Sequence, residues 1–205
     1  MKAPPNTARR IAVIVLLTGC VLVGQLCAQY FLDSRVPAAI EPPFKNIVTV
    51  ITKEHVSSGI PVRIEIPRIN LDTIVIQVGL TPNGAMAVPS GPTETAWYKL
   101  GPHPGEIGSA VISGHYGWKD NISAAFDSLH RLEIGDTVRV EDENGRMNTF
   151  IVRAVRSYYP QADASLIFSS GDIVPHLNLI TCEGTWNQNQ KSYSKRLVVF
   201  TNLVM

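Results

Sequence analysis

Leu177-Asn178-Leu179-Ile180-Thr181-Cys182-Glu183-Gly184 reads as an apolar strand that ends at a cysteine and turns at once. A side chain at the mouth of a strand is held by a rigid element yet stays open to a ligand, which is where a nucleophile is wanted. The same kind of pattern extends outward from this stretch. From Ile60 onward, short runs rich in β-branched residues alternate with Gly, Pro, Asn and Asp. They predict strands over 62–66, 71–78, 85–88, 109–113, 137–141, 148–157, 177–181 and 196–203. Asp142-Glu143-Asn144-Gly145 is a hairpin signal between two of them. One interior segment, 122–132, departs from this pattern. Its Phe126, Leu129 and Leu132 stand three apart, which predicts one or two helical turns laid on the sheet. Short strands with a minor helix point to a mainly β barrel or sandwich, and no internal repeat is present.

The 205 residues suit one domain plus a tail or anchor, and a hydrophobic share of 45% against a charged share of 17% describes a folded core rather than a disordered polymer. The tail is legible. Residues 1–10 carry Lys2, Arg9 and Arg10, and the uncharged run from Ile11 to Ala28 is long enough to cross a bilayer. Those cations keep the N-terminus on the cytoplasmic side and place the rest of the chain outside. A transmembrane anchor over 11–30 is favoured over a cleaved signal peptide, because Leu26 spoils the small-x-small site at Ala28. It is favoured over a lipid-modified Cys20, because Val21-Leu22-Val23 continue the apolar run. Residues 31–59, with Pro37, Pro42 and Pro43, read as an extracellular spacer, and 60–205 as the exported domain. Without the three N-terminal cations the 17 acidic residues slightly outnumber the basic ones, so nothing calls for nucleic acid.

Cys20 and Cys27 fall in the apolar run, so the exported domain carries Cys182 alone and cannot close an internal disulfide. A thiol is a weak nucleophile at neutral pH until a base or cation favours its thiolate. His115 is the best-placed base, delivered by the strand 109–113 into Gly114-His115-Tyr116-Gly117. His103, between Pro102 and Pro104, reads as a loop contact, and His130 and His176 as surface residues. Arg196 opens the last strand, 14 residues after Cys182. If those strands are neighbours, its guanidinium can favour the thiolate and donate to a developing oxyanion. Trp186 and Trp118 either line a groove or pack. The paired spacings of a structural zinc site are absent, and no metal or cofactor is expected.

Taken together, Gly114-His115, Leu179-Ile180-Thr181-Cys182 and Arg196-Leu197-Val198-Val199 resemble the sortases. Ile64-Glu65-Ile66-Pro67-Arg68-Ile69 and Phe126-x-x-Leu129-x-x-Leu132-x-x-Gly135-Asp136 support the resemblance, in the family's order. The segment from Trp97 to Glu106 is more similar to the smaller class D to F enzymes than to class B. The resemblance implies a closed eight-stranded β-barrel and a membrane-anchored cysteine transpeptidase with its catalytic domain outside the cell. It further implies Cys182 as nucleophile, His115 as acid/base, Arg196 as oxyanion or substrate cation, and Thr181 as a secondary substrate contact beside Trp186. The implied substrates are secreted proteins with an LPxTG-like C-terminal sorting signal, and the implied acceptor is an amine of a cell-wall precursor or a pilin lysine. Asn178 stands where Thr is frequent, and Glu183 follows the cysteine and is expected to point away from it. A cysteine hydrolase using water, or an anchored β-barrel that binds a partner without catalysis, are the rival readings.

Overall fold

Side-chain alternation along a strand assigns each residue to one of two faces, and here both faces find a core. In the computed structural model, which describes residues 58–204, the strands are β1 (Pro61–Ile66), β2 (Leu71–Val78), β3 (Thr95–Tyr98), β4 (Gly108–Gly114), β5 (Thr137–Asp142), β6 (Met147–Tyr158), β7 (Pro175–Asn187) and β8 (Ser192–Leu203). They close into a barrel in the order β1-β2-β3-β4-β7-β8-β6-β5. Leu177, Leu179, Leu197 and Val199 point inward with Ile112 and Phe150. Their alternates Val198 and Phe200, with Val111, point outward and are buried against Ile167 of a short helix, α1 (Ser165–Phe168). Asn178 fastens that helix, donating from Nδ2 to the Ile167 carbonyl at 2.7 Å.

The expected closed barrel of eight strands is present, with several corrections in detail. Segment 85–88 is not a strand, since only an isolated bridge joins Leu80 to Met86. The eighth strand is instead Thr95–Tyr98, which pairs parallel with β2 and antiparallel with β4. Segment 122–132 carries its expected helical turn in 3-10 form at Leu129–Arg131, with non-helical turns before it. A 3-10 turn repeats every three residues, so the three-residue spacing still buries Phe126, Leu129 and Leu132. The domain begins slightly before residue 60: Ser58 is buried and the Gly59 N–H donates to Asp142 Oδ2 at 2.9 Å. The expected anchor, and the spacer up to residue 57, lie outside the described residues. Among the described residues no helix is long and apolar enough to cross a membrane.

β4 and β7 run parallel, so their C-terminal ends emerge at the same rim, and the register Ser113↔Ile180 continued by two residues brings His115 level with Cys182. Thr181 ties this level together by donating from Oγ1 to the Gly114 carbonyl at 2.8 Å. Gly114 has a steric reason to be glycine. A Cβ there would lie 2.6 Å from Cδ2 of Phe126, whose N–H donates to the His115 carbonyl. Gly114→Ala is therefore expected to destabilise the fold by about 1–3 kcal/mol through overpacking. Phe126→Leu in the same chain should recover part of that loss in denaturant melts; additive destabilisation by the pair would disprove the clash.

Candidate active site

Cys182 lies within β7, not at its end. β7 and β8 continue past the barrel as an irregular hairpin, with Cys182 paired directly to Arg196 and the register shifting between Glu183 and Trp186. Gly184, at φ +85°, supplies the positive φ at that irregularity. Arg196 likewise sits inside β8, which opens at Ser192 rather than at the arginine. The alternation that sends Leu179 and Thr181 inward leaves Ile180 and Cys182 on the outer face, where Cys182 is half-buried.

His115, Cys182 and Arg196 border one cleft of about 800 Å³. The structure thus brings together the three residues expected to be catalytic. Trp186 joins them, 44% exposed and edge-on to Tyr193 at 5.1 Å, while Tyr116 meets the same Tyr193 at 5.4 Å. His115 packs edge-on against Trp118 at 4.7 Å. Thr181 is different: it is buried and its hydroxyl is engaged by Gly114, so it braces β7 against β4 instead of facing the cleft. A second, apolar cleft of about 490 Å³ adjoins the first, bordered by Leu80, Tyr98, Ile167, Phe168, Ile180 and Arg196. Ile180 and Cys182 are next-but-one on the same strand face, each bordering one of the two clefts, and Arg196 borders both.

Burial pushes the Cys182 thiol above its ordinary pKa, and the Arg196 charge opposes that rise. Glu183 is directed to β6, where its Oε2 accepts from the Ser157 hydroxyl. The guanidinium of Arg196 is anchored by the β7–β8 turn: Nη1 donates to the carbonyls of Tyr193 and Lys195 at 3.1 and 2.9 Å, and Nη2 to Ser192 Oγ at 3.2 Å. His115 Nε2 lies 2.8 Å from the Pro89 carbonyl. A carbonyl can only accept, so Nε2 carries hydrogen and Nδ1 is the nitrogen able to exchange a proton while that contact holds. Pro89 is in turn fixed by Glu94, whose Oε1 accepts from the Ser90 N–H, the Ser90 hydroxyl and the Gly91 N–H at 2.9–3.0 Å. These donors, led by Gly91, hold the Glu94 carboxyl below the usual carboxylate range.

Sequence reading missed Pro89, Glu94, Ser192 and Tyr193. The one available signal was Ser90-Gly91-x-x-Glu94, which places a carboxylate three residues beyond turn-forming types. The remaining histidines divide. His103 makes the expected loop contact, Nδ1 to the Gly59 carbonyl at 3.0 Å, and His130 is exposed. His176, expected at the surface, is buried between Asp172 and Asn202. Among the described residues no cluster of side chains suits a metal ion.

A family model described as the sortase domain matches residues 64–204. The chain belongs to the sortase family. Sortases are cysteine transpeptidases, and Cys182 is the one cysteine among the described residues of this sortase. Solved structures agree on the fold. Sortase A from Corynebacterium diphtheriae, in a lid mutant, is 22% identical, with 74% of this chain and 73% of that one covered and a TM-score of 0.56. Sortase C-1 from Actinomyces oris is 22% identical over 70% and 73% of the two chains, with a TM-score of 0.52. Sortase C from Clostridium perfringens SM101 is 20% identical over 72% of each, with a TM-score of 0.52. No curated protein matches by sequence.

Removing the cation beside a buried thiol further disfavours its thiolate. In Arg196→Gln the midpoint of Cys182 alkylation by iodoacetamide should therefore move to higher pH than in the parent. An unmoved midpoint would put the guanidinium charge out of electrostatic reach of the sulfur.

Proposed function

We propose that this sortase cleaves an LPxTG-like sorting signal and passes the acyl group to an amine of the cell envelope or a pilin. The single observation that supports this reading is the pair of clefts that share Arg196, one apolar beside Ile180 and the other lined by thiol, imidazole and guanidinium. An extended peptide fits along this pair with its Leu-Pro side chains against Ile167, Phe168 and Ile180 and its threonine carbonyl over Sγ of Cys182. His115 takes the thiol proton and the thiolate attacks the carbonyl carbon, giving an oxyanion that Arg196 receives. Collapse of that intermediate breaks the C–N bond, and the imidazolium of His115 returns its proton to the departing amine. The thioester is then attacked by a neutral amine, whose proton passes to His115 as the sulfur leaves. The apolar run 11–28 would anchor the enzyme with this domain outside the cell, a single-pass arrangement that brings it to exported substrates.

The full chain incubated with a sorting-signal peptide library and an amine acceptor should yield ligated product and a thioester on Cys182 by mass spectrometry. Cys182→Ala should lose both, and His115→Ala and Arg196→Ala should lose nearly all. Cleavage that persists in Cys182→Ala would refute the assignment, and product formed with water alone in saturating amine would make the enzyme a hydrolase.

The Glu94 turn is expected to position His115 rather than bind peptide. Glu94→Ala should lower kcat by up to about 10²-fold, the cost of a misplaced catalytic group, with KM little changed. Glu94→Gln, which keeps an accepting oxygen, should retain most of the rate. A rise in KM with kcat intact would instead make Glu94 a substrate contact.

A further inference from the structure

β6 contains an irregularity in its pairing with β8. The register shifts between Val152 and Ala154, which leaves Arg153 as the extra residue of a bulge. Residues three apart on a regular strand face opposite ways, and the bulge cancels one step of that alternation. Arg153 and Arg156 consequently lie on one side, with their guanidinium carbons 5.2 and 5.8 Å from the centroid of the same Phe200 ring. Beside them is a small hollow of about 150 Å³, bordered also by Ser169, Ser170, Asp172 and His176.

Among the described residues neither guanidinium forms an ion pair or a hydrogen bond with the protein. The hollow is also bordered by one carboxylate, Asp172, whose Oδ1 is 2.8 Å from His176 Nε2 and accepts from the Val174 N–H at 3.1 Å; the Arg153 charge acts on it as well, so an anion bound here competes with that carboxylate for Arg153. The His176 side chain is only 4% exposed, with Nδ1 2.9 Å from Asn202 Oδ1, so the imidazole is part of the fixed wall, while the Asp172 side chain it holds is exposed. Ser169 donates to the Ser165 carbonyl at 2.8 Å, whereas Ser170 reaches the Asp172 carbonyl only at 3.5 Å, a bond readily exchanged for a better acceptor.

From this arrangement we infer that the hollow binds a phosphate-type oxyanion, held between the Arg153 and Arg156 guanidiniums with the Ser170 hydroxyl as a third donor. Two forked cations bordering one hollow match the charge and the several oxygens of a tetrahedral dianion, whereas a monocarboxylate would satisfy one of them. The ligand would also bear on the apolar cleft, because α1 divides the two spaces: Ile167 and Phe168 border the cleft, Leu166 and Ser169 the hollow. An occupied hollow therefore ties the segment 165–172 to β6. The inference concerns binding alone and stands whether or not the enzyme transfers to an amine.

The test is an NMR titration of the full chain with inorganic phosphate at constant ionic strength and neutral pH, with acetate in parallel. Phosphate should produce saturable shifts at residues 153–156 and 169–172, and acetate should not. Arg153→Gln and Arg156→Gln, both at exposed positions, should each weaken binding about tenfold, in line with loss of a charge-assisted contact, while Arg131→Gln leaves it unchanged. Shifts that grow without saturation, equal shifts with acetate, or affinity unaffected by either glutamine variant would overturn the site. Should a glutamine variant not fold, Arg153→Lys and Arg156→Lys keep the charge and lose the fork; affinity equal to the parent in both would overturn it as well.

Discussion

The register that locks β4, β7 and β8 at one level is the constraint on which the active site depends. Parallel pairing of β4 with β7 brings the C-terminal end of β4 to the rim where β7 carries Cys182 out of the barrel, and antiparallel pairing with β8 returns a third strand to it. His115, Cys182 and Arg196 come from positions as much as 81 residues apart in the chain, yet their meeting needs no mobile loop. A one-residue slip of β7 would turn Cys182 into the barrel and Thr181 onto the cleft, so the inward packing of Leu177 and Leu179 fixes the chemistry as firmly as it fixes the core. The Thr181–Gly114 hydrogen bond sits where such a slip would begin.

Strands whose burial follows a simple rule were legible in the sequence. The apolar runs 197–200 and 177–181, each buried on both faces, mark strands, and the motif around His115 marks where a third one ends. Thr95–Tyr98 was not legible, because four residues carry too little pattern and its place is set by partners on both sides. The opposite error at 85–88 has a related cause: Ala85-Met86-Ala87-Val88 is apolar because Met86 packs on the outer core, not because a ladder runs through it. The termini of β7 and β8 were read too short because the hairpin beyond Cys182 is polar and stands clear of the core.

The three polar residues of the site could be named in advance because their types carry chemistry, but their supports could not. Glu94 acts through a turn and Pro89 through a backbone carbonyl, and a carbonyl has no letter in a sequence. Tyr193 and Ser192 belong to the same category. Tyr193 gives Arg196 its carbonyl, and its phenol lies so close to Gly117 that a Cβ there would be 2.6 Å from the hydroxyl. Gly117, at φ +67°, is thus held to glycine both by backbone conformation and by a side chain from the far strand.

The opposed influences on Cys182 bear on how an unpaired thiol is kept from reacting at rest. Oxidation, like acyl transfer, proceeds through the thiolate, so a sulfur fully ionised at rest would be exposed to both. Burial here outweighs the Arg196 cation and keeps the resting thiol protonated. At rest the guanidinium is also engaged by the turn that carries Ser192, Tyr193 and Lys195. A peptide carbonyl arriving over the sulfur offers that guanidinium a new acceptor and removes water from the cleft, which strengthens every charge interaction within it. On the proposed mechanism, activation of the nucleophile is coupled to the arrival of the peptide, and the charge separation between Cys182 and His115 develops when there is a carbonyl to receive it.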